Sequence, residues 1–159
     1  MPHHSKAVLS ALAALAVLIA AWTPARADTV PATQIPSADL IQPAYLAAML
    51  RSAAAQKPLI LQVGFRTLYD QAHIPGAEYV GAAGDDNGLR ALRERVAQLP
   101  KDTAIVIFCG CCPWTRCPNM GAAYQAVQAL GFTRLKALYI AENFGANWVD
   151  KGYPVAKSP

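Results

Sequence analysis

The chain has 159 residues, of which 54 % are hydrophobic and 15 % are charged, and its net charge at neutral pH is +4. This composition excludes a disordered chain and predicts one domain with a packed core. The charge is too small to indicate nucleic-acid binding, and the sequence contains no basic run and no basic patch interleaved with aromatic residues.

The first 27 residues are typical of a cleaved secretory signal. A weakly basic start precedes an apolar run from Ala7 to Trp22, and Ala25 and Ala27 supply the small residues that a signal peptidase reads. An uncleaved membrane anchor is the alternative, but the run is shorter than the roughly 20 residues that a spanning helix needs. We therefore predict an exported protein, in the periplasm or secreted, with no stable membrane anchor after cleavage.

The segment after this signal, residues 28–36, is predicted to be a linker or an extended lead-in to the first helix, because it is short, polar and punctuated by prolines. Residues 37–157 are predicted to form the domain. Ser37 is a candidate N-cap for a first helix over residues 38–55, in which Pro43 marks a kink or a restart.

Short apolar runs alternate with helical patterns over the rest of the chain. Four runs predict buried strands, at residues 58–63, 77–80, 103–108 and 135–140. Helical patterns cover residues 88–99 and 120–132, and Gly131 stops the second. Strands that alternate with helices pair in parallel through right-handed crossovers, so we predict an α/β fold with a central parallel sheet flanked by helices on both faces.

All four cysteines lie close together, at Cys109, Cys111, Cys112 and Cys117. Cys109 directly follows a predicted strand, and a helix is predicted to start near Asn119 or Met120. Parallel sheets place their sites at the carboxyl ends of strands. Because unpaired N–H groups and the helix dipole at such a junction favour an anion, we predict a lowered pKa for the Cys109 thiol.

Three separated segments make the chain resemble the rhodanese family. They are LQVGFRTLYDQAHIPGAEYV, IVIFC ending at Cys109, and ENFGANWVDKGYPV. Together they span nearly all of the predicted domain. The resemblance implies a sulfurtransferase in which Cys109 accepts sulfane sulfur as a persulfide and passes it to a thiophilic acceptor. It implies no cofactor, and its partners would be a small sulfur-containing donor and a thiol acceptor.

The chain departs from this family pattern at two places. Gln62, Val63 and Gly64 stand where the family usually has Asp-Val-Arg, so the charged network that often braces the site is missing. The loop that follows Cys109 is also longer than in a compact single-domain member, and the additional residues carry the other cysteines.

The loop contains the remaining candidate site residues. Arg116 is the only charged side chain between Cys109 and Asn119, and we predict that it presents a cation to an anionic donor such as thiosulfate. The loop from Gly110 onwards is expected to supply backbone N–H groups that hold the persulfide. The other three cysteines are predicted auxiliary thiols, which either resolve the persulfide to a disulfide or receive its sulfur.

Three other uses of the cysteines stay open from the sequence alone. The C-x-x-C spacing of Cys109 and Cys112 permits a redox-active disulfide. Several thiolates in one loop suit Cu(I), in which case all four cysteines are candidate ligands and copper is the cofactor. Structural disulfides that stiffen the loop of a catalytically silent, exported domain are the third. Trp114, as an exposed loop residue, would shield the sulfur from water or contact a periplasmic partner protein.

Overall fold

A computed structural model describes residues 31–53 and 56–158. The predicted signal, residues 1–27, and the first part of the predicted linker lie outside the described residues. Within the described ranges, no helix is long and apolar enough to cross a membrane.

A five-stranded parallel sheet forms the centre of the domain, with the strand order β1-β5-β4-β2-β3. Its strands are β1 (Leu40–Ile41), β2 (Leu59–Gln62), β3 (Glu78–Tyr79), β4 (Ile105–Phe108) and β5 (Leu135–Leu138). The four predicted strands are confirmed as β2 to β5. The fifth, β1, occupies two residues that were predicted to belong to the first helix, and it exists because it pairs with β5.

Four α-helices and one π-helical turn accompany the sheet. They are α1 (Pro43–Arg51), α2 (Arg66–Gln71), α3 (Asp86–Val96), α4 (Pro118–Gln128) and the π-helical turn Gly145–Val149. Pro43 begins α1, since proline at the first helical position loses no intrahelical hydrogen bond. Asp85 caps α3 by accepting a hydrogen bond of 2.8 Å from the backbone N–H of Gly88.

Both faces of the sheet are covered, as predicted. Alternate residues of β4 point to opposite faces, so that Ile105 and Ile107 join one hydrophobic cluster while Val106 and Phe108 join another. The first cluster includes side chains of α3 and α4, and the second includes side chains of α1 and Trp148 of the π-helical turn. This layered arrangement places β4, the strand that precedes the cysteines, near the middle of the fold.

The predicted linker packs against the domain where the structure describes it. Residues Ala32–Gln34 form a single 3-10 turn, and both Ala32 and Ile35 are buried in the cluster that contains α4. The linker interpretation is therefore wrong for residues 31–36. The segment was interpreted as a linker because most of its residues are polar or proline, but its two apolar side chains, Ala32 and Ile35, are spaced so that both face the core.

Candidate functional site

Cys109 lies at the carboxyl end of the central strand β4, as its position in the sequence predicted. It is the next residue after Phe108 on the face that Ile105 and Ile107 share, which is the face covered by α4. Only 1 % of Cys109 is exposed. Its sulfur therefore faces the start of α4 and is shielded from bulk solvent.

Gly110 turns the chain sharply directly after Cys109. Its φ angle is +80°, and a Cβ atom there would lie 2.7 Å from Cβ of Phe144, so no other residue fits without displacement. The Gly110 carbonyl accepts a 3.0 Å hydrogen bond from the Phe144 N–H. The turn brings Cys111 back toward Cys109, with their Sγ atoms 3.1 Å apart.

The cysteine loop gathers its sulfurs into one cluster. The Sγ atoms of Cys109, Cys111 and Cys117 all lie within 4.8 Å of one another, and that of Cys112 is 3.0 Å from Cys111. All four are free thiols, since these separations exceed the roughly 2.05 Å of a disulfide bond. The neighbour that contacts Cys109 is Cys111, which is a different pairing from the C-x-x-C pair considered from the sequence.

Helix α4 starts directly against this cluster. Cys117 is its N-cap and Pro118 its first residue, so the helix begins slightly earlier than the predicted start near residues 119 and 120. The Cys117 sulfur lies within 4.8 Å of the sulfurs of Cys109 and Cys111 and beside the first N–H groups of the helix, those of Asn119 and Met120, which are polar groups that favour an anion. Together these groups hold the pKa of Cys117 far below its usual range, despite burial.

The prediction of a lowered pKa at Cys109 is wrong. The hydrogen bond with Cys111 acts to lower the pKa of Cys109, but the hydrogen bond with Cys117, burial and the negative charge on Cys117 outweigh it and raise that pKa. The pKa of Cys111 is also raised, first through its hydrogen bond with Cys109. Within the cluster, the surroundings therefore favour the thiolate at Cys117 over a thiolate at Cys109 or Cys111.

Asn119 is the site residue that the sequence did not reveal. Its side chain is buried, and its Oδ1 accepts a 2.7 Å hydrogen bond from the backbone N–H of Gly84. This contact fixes the orientation of the amide, since a backbone N–H requires an acceptor. The Nδ2 group consequently points to the sulfurs, 3.2 Å from Cys109 and 3.7 Å from Cys111. A signal was available, because this asparagine stands in the first turn of a helix that follows a cysteine loop.

The departure from the family pattern after β2 has a structural reason at Gly64. A Cβ atom at Gly64 would lie 2.9 Å from the Cys109 Sγ, so the sulfur takes the space that a side chain at this position would need. Gln62 is 2 % exposed, and its Oε1 has no hydrogen-bond partner within the described ranges. Gly64 thus leaves room for the Cys109 sulfur, and Gln62 lines the cavity beside it.

A cavity of about 370 Å³ opens beside Cys109, Gly110 and Cys111. Its other walls are Gln62, Leu68, Gln71, Ala72, Asn143, Phe144, Gly145 and Val149. These walls include amide and apolar side chains but no charged one. The cavity therefore offers hydrogen bonds to a ligand without neutralising an anion.

Arg116 does not line this cavity. It is exposed, and its charge acts on the Cys112 thiol, whose pKa is raised mainly by burial and is only partly offset by the guanidinium. The Cys112 Sγ lies 3.8 Å from the carbonyl oxygen of Arg116. The predicted delivery of a cation to a donor at Cys109 thus finds no support in the geometry.

Trp114 is buried, with 7 % exposed, so the prediction of an exposed loop tryptophan is wrong. Its backbone N–H donates to the carbonyl of Ala141, and its ring packs at 5.2 Å against that of Tyr139. The ring borders a small void together with Cys112 and Cys117. Trp114 therefore shields the sulfurs from water, one of the two roles considered for it, and presents little surface to a partner.

The chemistry of this arrangement is that of soft donors. Three sulfurs within 4.8 Å of one another, of which Cys117 is favoured as the thiolate, match the coordination that Cu(I) prefers. The same contacts allow one sulfur to attack another that has been oxidised or persulfidated. The Cys109 sulfur accepts a hydrogen bond from the Asn119 amide at 3.2 Å, its own S–H donates to Cys111 at 3.1 Å, and the backbone N–H of Cys111 favours its anionic form.

Comparison with known proteins identifies the fold. The family described as "Rhodanese-like domain" matches residues 42–141, which is more than half of the chain. The chain belongs to the rhodanese-like domain family. The resemblance read from the three sequence segments is thus confirmed, and so is the α/β fold class.

Solved structures of other rhodanese-like domains agree with this assignment. The Alr3790 protein from Anabaena sp. superposes with a TM-score of 0.57 at 20 % identity, over 74 % of this chain and 82 % of that one. The BH2092 protein from Bacillus halodurans gives 0.56 at 19 % identity, over 74 % and 76 %. A thiosulfate sulfurtransferase from Pseudomonas aeruginosa gives 0.53 at 25 % identity, over 76 % of this chain and 19 % of that protein. No curated protein sequence gives a match.

Proposed function

We propose that this rhodanese-like protein is a sulfurtransferase that carries sulfane sulfur as a persulfide on Cys109. The observation that carries the proposal is the place of the Cys109 sulfur, at the carboxyl end of the central strand and in the wall of a cavity of about 370 Å³. An amide donor lies 3.2 Å from the same sulfur. Together these features provide a nucleophile, room for a second sulfur and a group that stabilises it.

The transfer is a pair of sulfur displacements. The Cys109 thiol gives its proton to the Cys117 sulfur and attacks the outer sulfur of the donor, forming an S–S bond while the donor's own bond to that sulfur breaks. The leaving group takes the electron pair. An acceptor thiolate then attacks the outer sulfur of the persulfide, and Cys109 leaves as a thiolate that regains its proton from Cys117.

The walls of the cavity favour certain donors. None of the residues that line it is charged, so a dianion such as thiosulfate finds no cation to pair with. An organic persulfide, whose persulfide group carries at most one negative charge, fits amide and apolar walls better. We place it ahead of thiosulfate and inorganic polysulfide, which are dianions, as the donor, and a small or protein thiol as the acceptor.

The exported location belongs to the same proposal. It rests on the apolar N-terminal run and the small residues after it, which are typical of a cleaved signal. Outside the cytoplasm, the free thiols of the cluster would depend on a reducing partner protein to stay reduced.

Intact mass spectrometry of the reduced protein, before and after incubation with an organic persulfide, tests the proposal. In samples quenched early in the incubation, we expect a gain of about 32 Da that dithiothreitol removes, which distinguishes added sulfur from two added oxygens. Cys109→Ser should abolish both this gain and sulfur transfer to cyanide, while Cys112→Ser should keep them. An unchanged transfer rate in the Cys109→Ser variant would remove Cys109 from its role.

A second candidate function, Cu(I) binding, is favoured by the three sulfurs that lie within 4.8 Å of one another. The native spectrum of the same reduced samples, after anaerobic addition of Cu(I), separates it from sulfur transfer. Copper binding predicts a gain of about 63 Da that survives the Cys112→Ser change and is lost in Cys117→Ser. Absence of that gain would contradict copper binding and leave sulfur transfer as the proposed function of the cluster.

A further inference from the structure

The contact between Cys109 and Cys111 is the feature from which a further activity follows. Their Sγ atoms are 3.1 Å apart, and the glycine between them, with its φ of +80° and no room for a Cβ atom, holds the turn that brings them together. Asn119 donates to both sulfurs, at 3.2 Å and 3.7 Å. The two thiols are therefore held in contact by the backbone and by a buried amide.

Cys111 differs from the other two auxiliary thiols in its position. It lines the same cavity as Cys109 and is only half-buried. Cys112 and Cys117 instead border the small void on the side of Trp114, and Cys112 contacts Cys111 at 3.0 Å. Among the loop cysteines, Cys111 is thus the thiol that both touches Cys109 and reaches the cavity where sulfur would be loaded.

We propose that Cys111 resolves the Cys109 persulfide, so that the sulfur leaves as hydrogen sulfide and a Cys109–Cys111 disulfide remains. This inference rests on the proposed function, because it begins from the loaded Cys109. It adds a distinct activity, the reduction of sulfane sulfur to sulfide at the expense of a dithiol.

The step balances in atoms and electrons. Once Cys117 has passed the proton that it took from Cys109 during loading to the donor's leaving group, the Cys111 thiol loses its proton to the Cys117 sulfur and attacks the inner sulfur, Sγ of Cys109, forming the Cys109–Cys111 bond. The bond between the inner and outer sulfurs breaks, and the outer sulfur leaves with the electron pair as hydrosulfide. The two cysteine thiols are oxidised to a disulfide, and the sulfane sulfur is reduced to sulfide. An external dithiol then reduces the disulfide by two successive exchanges and is itself oxidised.

Geometry favours the inner sulfur over the outer one as the point of attack. The atom that Cys111 contacts is Cys109 Sγ itself, which becomes the inner sulfur once the persulfide has formed. The outer sulfur needs space, and the cavity beside Cys109 provides it. An acceptor that enters from solvent meets the outer sulfur, whereas the neighbouring Cys111 thiol meets the inner one. Transfer to an acceptor and resolution to a disulfide therefore occur at different sulfur atoms.

A single-turnover experiment tests this proposal. The reduced protein is loaded anaerobically with glutathione persulfide and desalted, and then released sulfide and intact mass are followed in time. We expect the wild type to release about one sulfide per chain and to finish about 2 Da below its reduced mass, with peptide mapping linking Cys109 to Cys111. Cys111→Ser should stay about 32 Da heavier and release sulfide only after dithiothreitol is added. Cys112→Ser removes the other thiol that contacts Cys111, and sulfide release with a Cys109–Cys111 disulfide in this variant would show that Cys111 acts without it.

The possible results separate this inference from the function on which it rests. A wild type that keeps its added sulfur as long as Cys111→Ser does would overturn the resolving role and leave the Cys109 persulfide intact. A disulfide from Cys109 to any other cysteine, or loss of sulfide release in Cys112→Ser alone, would overturn it as well. Absence of loading in both the wild type and Cys111→Ser would refute the proposed function itself. Loading of Cys111→Ser also demonstrates that this variant is folded.

Discussion

At the scale of single residues, Asn119 connects the structure of the site with its chemistry. Its Oδ1 accepts from the Gly84 backbone and its Nδ2 donates to the Cys109 sulfur, so a buried amide is satisfied on both sides. The donor favours the anionic form of any sulfur that it faces, which assists a thiolate leaving group. Asn119 is therefore a positioning residue whose effect should be visible in the ionisation of Cys109.

Asn119→Asp tests this role, because the carboxylate keeps an acceptor for Gly84 and replaces the donor to Cys109 with a negative charge. We expect the Cys109 thiol to be alkylated by iodoacetamide at least about tenfold more slowly near pH 8, since its pKa rises further. The measurement is the pH dependence of Cys109 alkylation, followed by peptide mass spectrometry.

Asn87→Asp provides the control for this substitution. Asn87 lies on α3, where its amide oxygen contacts the exposed Arg90, so the same charge is added away from the sulfurs. Equal alkylation profiles for the two variants would show that Asn119 does not act on Cys109 through its amide.

The sequence predicted the position of the Cys109 sulfur but not the charge of the cluster. Because this cysteine directly follows a predicted strand, the sequence placed it at the carboxyl end of that strand. Alternation along β4 then determines on which face of the sheet its side chain lies. The pKa values depend on which sulfur lies beside the first N–H groups of α4, and because the helix begins at Pro118, that sulfur belongs to the N-cap Cys117. Such a shift of one or two residues lies beyond the precision of helix boundaries read from sequence.

At the scale of secondary-structure elements, the segment before β1 is part of the core. Its 3-10 turn buries Ala32, and Ile35 follows it into the cluster that contains α4. A linker would tolerate substitution at these positions, whereas a core element would not.

Ile35→Ala should therefore lower the free energy of unfolding by about 2 kcal/mol or more, through lost burial and the cavity that it leaves. Gln34→Ala, at the exposed neighbouring position, should change it by no more than about 0.5 kcal/mol. Urea denaturation of the two variants provides the measurement. Equal midpoints for the two variants would restore the linker interpretation.

The elements that could be predicted are those whose pattern is local. The strands β2, β4 and β5 are short apolar runs bounded by glycine, proline or polar residues, and they appear where they were expected. By contrast, β1 has two residues and depends on pairing with β5, a contact that no local pattern contains. The six-residue helix α2 buries no residue fully, so it lacked the apolar periodicity by which helices are recognised.

At the scale of the whole molecule, Asp39 joins three parts of the chain. Its carboxylate accepts a 2.6 Å hydrogen bond from the Tyr124 hydroxyl of α4 and a 3.1 Å bond from Lys136 of β5. The Tyr124 hydrogen bond is the largest cause that holds the pKa of Asp39 below its ordinary value, followed by burial, which opposes it, and by Lys136. The folded state is therefore stabilised by the ionised carboxylate.

The direction of this shift predicts a pH dependence of stability. Because the folded pKa is depressed, the stabilisation is present above the ordinary aspartate pKa of about 3.9 and is lost as the pH falls through the lower folded value. Tyr124→Phe should cost about 1 kcal/mol at neutral pH, and this difference from the wild type should shrink below about pH 4. Denaturant unfolding across that range measures it. Tyr45→Phe, at an exposed tyrosine, is the control, and a Tyr124→Phe deficit that is constant with pH would contradict the assignment.

The global architecture was the most predictable level of this protein. Alternating strands and helices indicated a parallel sheet with both faces covered. Both faces need to be covered because β4 carries apolar side chains on each of them. The lining of the cavity was not predictable, because it collects residues from β2, α2, the cysteine loop and the π-helical turn. Side chains from elements so far apart in sequence meet only once the sheet order is known.

The bare backbone at Gly64 limits how a site of this kind can change. A Cβ atom there and the sulfur of Cys109 compete for one volume, since they would approach to 2.9 Å. An arginine at position 64 would therefore require the Cys109 sulfur or the adjoining backbone to shift. Replacing this glycine with a charged residue would thus change where the reactive sulfur sits as well as the charge around it.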